Sequence, residues 1–135
     1  MNRRLVALFI VTLAFKSTNV FAAFEVALFS KTGNYTYVDP NTIRKNGNKV
    51  TMWTMTDYKK EEVFENKAVK SQKSFYEYEC KKKQMRLLIS TFHSEHIGGG
   101  EIVMTIPQEQ DITPVPSGST GEVMWKIACG LLAPH

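Results

Sequence analysis

After residue 22, the hydrophobic positions fall into short alternating runs separated by turn residues, the pattern of strands rather than of a helical bundle. Residues 23–30 (AFEVALFS) predict a first strand, 31–34 a turn and 35–38 a second strand. Asp39 then caps a single helical turn, with Pro40 where its missing N–H costs nothing. Asn46 and Gly47 signal a tight turn into a long strand over residues 49–58. In that strand Val50 and Met52 point one way and Thr51, Trp53 and Met55 the other. Apolar groups on both faces predict a central position. From 59 to 70 the alternation dissolves into charge, which reads as a solvated loop or a frayed helical turn anchored by Val63 and Phe64.

The stretch from 71 to 94 is the most strongly patterned. Two alternating arms flank a turn of Lys81, Lys82, Lys83 and Gln84. On the first arm Tyr76, Tyr78 and Cys80 share a face, and Phe75, Glu77 and Glu79 the opposite one. On the second arm Met85, Leu87 and Ile89 share a face against Leu88 and Phe92. Gly98, Gly99 and Gly100 make the next turn, and residues 101–106 the last strand. An irregular crossing over 108–118 leads to Ser119, which with Glu122 forms a capping box, each side chain serving the other's backbone N–H. The helix so started runs to about Cys129 and stops at Gly130, burying Val123 and Ile127, with Met124 and Trp125 beside them. Strands first and one helix last predict an α+β class, an antiparallel meander of about six strands packed with one C-terminal helix and stapled by one disulfide.

The first 22 residues do not belong to that pattern. Arg3 and Arg4 precede an eleven-residue apolar run, followed by Val20-Phe21-Ala22, which predicts a cleavable secretory leader over 1–22 and one domain over 23–135. Cleavage after Ala22 and after Ala23 are both open. Without the leader the 17 basic residues lose Arg3, Arg4 and Lys16, so 14 face 13 acidic ones and the net charge of +4 falls to +1. Such a balance gives no reason to expect a nucleic-acid partner. Both cysteines lie in the mature part, and an even pair in an exported chain reads as a disulfide, the alternative being two free thiols. Closing a loop of this length contributes about 4 kcal/mol on the chain-entropy account.

Candidate chemistry is thin. Lys81, Lys82 and Lys83 are weak binding candidates that also read as a solubilising turn. His93 and His96 are spaced H-x-x-H around Glu95, but at a strand end such a spacing does not converge, so they stand as weak binding candidates and no metal set is expected. The glycine triplet precedes a strand rather than a helix, so it does not read as a phosphate cradle. The serines have no base or orienting acid in a recognisable setting, and the Glu77 and Glu79 pair also fits cross-strand partners of lysine. No catalytic residue and no cofactor are expected. Exposed members of the aromatic set Tyr35, Tyr37, Trp53, Tyr58, Phe75, Tyr76 and Tyr78 would make an interface.

An ordered set of residues carries a resemblance. Tyr37, Asp39, Thr42, Ile43, Arg44, Gly47, Val50, Trp53 and Tyr58, then Cys80 with Arg86, then Pro114, Pro116, Gly118, Ser119 and Cys129 together resemble the bacterial surface-adhesin protein E family over about 24–130. The resemblance implies an antiparallel sheet with one terminal helix, a Cys80–Cys129 disulfide, homodimerisation, and adhesion to host extracellular-matrix or serum proteins. Lipid-anchored relatives would carry a cysteine after the leader. Here none stands at that point, so the expectation is an exported periplasmic or secreted protein with no transmembrane segment in the mature chain. Beside the non-enzymatic protein-binding reading stand a soluble periplasmic accessory or small-ligand-binding protein and, last, an enzyme.

Overall fold

A computed structural model describes residues 24–107 and 109–134. The expected leader, its cleavage point and Ala23 lie outside the described residues. Eight strands form one antiparallel sheet: β1 (Glu25–Phe29), β2 (Tyr35–Val38), β3 (Arg44–Asn46), β4 (Lys49–Phe64), β5 (Lys67–Glu79), β6 (Gln84–His93), β7 (Ile102–Ile106) and β8 (Thr113–Pro114), followed by the helix α1 (Thr120–Ala128). The order across the sheet is β1-β2-β4-β5-β6-β7, with β3 paired to β4 and β8 to β6. The class and the single helix match the sequence expectation, and β4 is central as its two-faced apolar pattern requires.

Three details of the strands differ from it. Residues 59–70 are neither loop nor frayed helix: β4 continues to Phe64 and β5 starts at Lys67, so the two strands make one long hairpin. Its turn is Glu65-Asn66, both left-handed (φ 47° and 62°), the two-residue turn whose twist suits a hairpin. Charged side chains point outward from both arms there, which erased the alternation. The earlier turn is shifted by one residue: Asn46 pairs with Lys49, so Gly47 and Asn48 are the central pair, with Gly47 at φ 62°. The third difference is a bulge. Phe75 pairs with Ile89 but Tyr76 with Leu87, leaving Leu88 unopposed. The extra residue changes the phase of β6, so Ile89 does not share a face with Met85 and Leu87.

The main core lies on the helix-side face of the sheet, with Met55 and Val69 buried on the opposite one. Val38, Val50, Met52 and Tyr78 meet Met124, Trp125, Ile127 and Ala128 of α1, with Val115 closing the edge. Val123, expected to bury, is only half-buried, and Met124 takes its place. The residues before α1 are less irregular than expected: β8 pairs with β6, and Val115 donates its N–H to the Lys83 carbonyl at 3.0 Å. Ser119 caps α1 by accepting from the Glu122 N–H at 3.1 Å. The return half of the expected box goes elsewhere, since Glu122 accepts from the Gly118 N–H at 3.4 Å. At the other end Gly130 (φ 74°) closes a Schellman motif, its N–H on the Ile127 carbonyl and that of Leu131 on the Lys126 carbonyl. Cys80 and Cys129 are joined by a disulfide, Cα to Cα 5.8 Å. No helix among the described residues is long and apolar enough to cross a membrane.

Candidate functional site

α1 does not cover the other face of the sheet, where Met55, Val69 and Ser71 are buried but the aromatic residues are not, and the register decides what that face shows. Cross-strand partners share a face. Tyr35 and Asp57, Tyr37 and Met55, Trp53 and Phe75, Phe75 and Ile89, and Glu77 and Arg86 are such pairs. The result is an aromatic band running across β2, β4 and β5. Tyr35 and Tyr37 lie with ring centroids 6.2 Å apart, and Trp53 and Phe75 stack at 5.0 Å with 24° between their planes. Tyr35 is 43% exposed, and Tyr37, Trp53 and Phe75 are half-buried. Burial first, then the charge of Asp57 and the neighbouring Tyr35, push the Tyr37 hydroxyl above its ordinary pKa, so it stays a protonated donor.

Toward the Lys81–Lys83 turn the band is bordered by ions. Glu77 accepts from Arg86 at 2.9 Å and lies 3.4 Å from Lys49, while Arg86 also pairs with Glu109. This answers the carboxylate question for Glu77: its charge is matched across the strands. Glu79 instead accepts the backbone N–H of Lys82.

At the far end the band meets the loop after β6. Asp57 accepts the Ile97 N–H at 2.8 Å and holds the His96 Nδ1 at 3.1 Å. Ser71 donates to the Glu95 carbonyl at 2.6 Å and accepts from the Gly98 N–H at 2.8 Å. The loop is thus buttoned onto the sheet through two strand side chains. It pays with backbone strain, because Ile97, a β-branched residue, sits at φ 55° and ψ 38°. Between this loop and the band lies a hollow of about 330 Å³ bordered by Tyr35, Asp57, Lys59 and His96.

The structure distributes the sequence candidates widely. Asp39 accepts from the Asn41 N–H at 3.1 Å and caps the 3-10 turn Pro40–Thr42. Lys83 belongs to the helix side. Its ammonium pairs with Glu122 and stands 5.6 Å from the centroid of the Trp125 ring, while Lys81 and Lys82 are exposed at the hairpin tip. His93 and His96 have different partners: the His93 Nε2 meets the Thr91 hydroxyl at 2.9 Å, and His96 meets Asp57. His93 is buried, with Nδ1 lacking a partner, and burial followed by the charge of Lys73 pulls its pKa down. No cluster of three metal-ligating side chains occurs among the described residues. Sequence reasoning missed Asp57 and the Trp53–Phe75 stack. Tyr35 and Tyr37 could have been read as one face by their period of two, but the partners on β4 and β5 needed the register.

A disulfide-pinned sheet and helix, with an aromatic band on the face that α1 does not cover, defines a small α+β domain. The chain belongs to the surface-adhesin protein E family, whose model matches residues 25–130. Its fold is that of Haemophilus influenzae protein E. One crystal form is 14% identical with a TM-score of 0.62 over 84% of this chain and 91% of that one. A second structure of that protein is 14% identical with a TM-score of 0.60, covering 84% and 88% of the two chains. No curated protein sequence matches the chain.

Proposed function

We propose that this protein is exported by its leader and acts without catalysis, as an adhesin that binds host extracellular-matrix or serum proteins through the open face of the sheet. The reading rests on the family together with one observation: the stacked Trp53–Phe75 pair is presented on a face that α1 does not cover. Large, rigid aromatic groups lose little conformational freedom on contact and dominate binding hot spots. The fixed charges of Glu77, Arg86 and Lys49 beside the band supply orientation more than affinity. The protein works in the periplasm or outside the cell. The outer strands β1 and β7 end the sheet and give a second copy a place to dimerise. Surface binding assays of the purified protein on vitronectin, laminin and plasminogen test the reading. Saturable binding to at least one is expected, and binding to none of them counts against it. Cell fractionation checks export independently.

A further inference from the structure

Asn46 is followed by Gly47, the one asparagine–glycine pair of the chain; Asn34, Asn41, Asn48 and Asn66 precede Tyr35, Thr42, Lys49 and Lys67. The pairing is chemically distinctive. The backbone nitrogen of the residue after an asparagine can attack the side-chain carbonyl carbon and close a five-membered ring. A side chain on the attacking residue obstructs the approach and restricts the backbone, and glycine has none.

The fold leaves this pair free to react. Asn46 ends β3, a strand of three exposed residues that pairs with β4 and lies off the main path of the sheet. The Asn46 side chain has no hydrogen-bond partner among the described residues. Gly47 stands in open space, since a Cβ built on it would meet nothing within 4 Å. Two other turn asparagines are held. The Asn34 side chain accepts the Lys59 N–H at 3.0 Å, and the Asn48 carbonyl accepts the Cys80 N–H at 2.9 Å.

Asn46 is extended in the ladder, so ring closure needs β3 to part from β4. Short, exposed segments open at the low end of a protein's range of local stabilities. The rest of the hairpin need not follow. The Thr42 hydroxyl accepts the Trp53 N–H at 3.0 Å on one side, and Asn48 is tied to Cys80 on the other. The opening is local, between two fixed points.

We propose that Asn46 is a site of spontaneous modification, deamidated through a succinimide formed with Gly47. The Gly47 nitrogen bonds to the Asn46 Cγ and gives up its proton, and the side-chain nitrogen leaves as ammonia. Water then opens the imide at one or the other carbonyl, giving an aspartyl or an isoaspartyl linkage and one new negative charge. No oxidant or cofactor takes part. The carboxylate arises opposite Lys49, the cross-strand partner of Asn46, whose ammonium lies 3.4 Å from Glu77. Cross-strand partners share a face, so the charge is added at the ionic border of the aromatic band.

The test incubates the purified full chain, native and denatured, in mildly alkaline buffer and locates the products by peptide fragmentation in a mass spectrometer. A gain of about one mass unit at Asn46 is expected in the native protein, ahead of every other asparagine and accompanied by isoaspartate. Gly47→Asp keeps a residue that tolerates the left-handed turn position while adding a side chain, and is expected to slow the gain at Asn46 several-fold. Asn46→Gln, which would have to close a six-membered ring, is expected to abolish it at that position. Another asparagine converting first, or an equal rate at Asn46 in the Gly47→Asp protein, overturns the proposal. A native protein that stays unmodified at Asn46 overturns it as well, whether or not the denatured sample converts, because β3 then keeps the ring from closing.

Discussion

Trp125 donates its indole N–H to the Glu79 carbonyl across 3.1 Å, one residue before the cysteine that is bonded to Cys129. The Lys83–Glu122 pair adds a third tie within the same hairpin end. Helix and hairpin are therefore registered by a hydrogen bond, a covalent bond and an ion pair, all gathered where β5 turns into β6. The consequence is local: α1 is held on its own face and leaves the Trp53–Phe75 stack uncovered by the helix.

The covalent tie should account for the largest share. Replacing both cysteines by serine, or reducing them, is expected to lower stability by about 4 kcal/mol in the loop-entropy limit. Urea unfolding with and without reductant measures it. An unchanged midpoint would mean that the noncovalent ties alone set the helix.

The ion pair gives a pH signature. The hydrogen bond from Lys83, then that from the Gly118 N–H, holds the Glu122 pKa below its ordinary value. A depressed carboxyl contributes stability above its unfolded pKa, and that contribution disappears as pH falls through the folded one. Stability is expected to decline below about pH 4.5, and Glu122→Gln should flatten that part of the profile. Equal acid slopes in the two proteins would show that Glu122 is not involved.

His93 acts in the next window upward. Its folded pKa is lowered, chiefly by burial. The unfolded chain therefore takes up a proton first as pH falls below about 6.5, and the native state loses stability from there down to the folded pKa. Chemical denaturation between pH 7.5 and 5 should show that loss, and His93→Gln should reduce it.

Ile97 offers a gain. A β-branched residue in the left-handed region costs about 1–2 kcal/mol, and its side chain is 54% exposed, so little packing is at stake. Ile97→Gly relieves that strain but adds about 0.5–1 kcal/mol of chain entropy, so a net gain of about 0.5–1 kcal/mol is expected, read from thermal or urea unfolding. A loss instead would mean that the isoleucine side chain holds the loop.

These relations were unevenly legible. The helix was readable because its two ends carry local chemistry: Ser119 with Glu122 at the start, Gly130 at the stop. The central place of β4 followed from apolar residues on both of its faces. The long β4–β5 hairpin was hidden because residues 59–67 are all exposed and Val69 is the one buried side chain of residues 59–70, so no hydrophobic period survived there. The bulge at Leu88 was hidden for another reason: it is a property of two strands together, and it reversed the face assigned to Ile89. The open aromatic band depends on the same cross-strand register, which is why its tyrosines were visible as a composition but not as a surface.

The central claim is that partners bind the face opposite α1, and one comparison of affinities tests it most directly. Kinetic binding to an immobilised matrix or serum protein is measured for the parent, for a Trp53→Ala, Phe75→Ala variant, and for a Lys81→Ala, Lys82→Ala variant at the exposed hairpin tip. The account predicts at least a tenfold loss for the aromatic variant, the scale of a hot-spot truncation, and near-parental affinity for the lysine variant. Retained affinity after loss of the aromatic pair, with binding lost instead at the lysine tip, would contradict it.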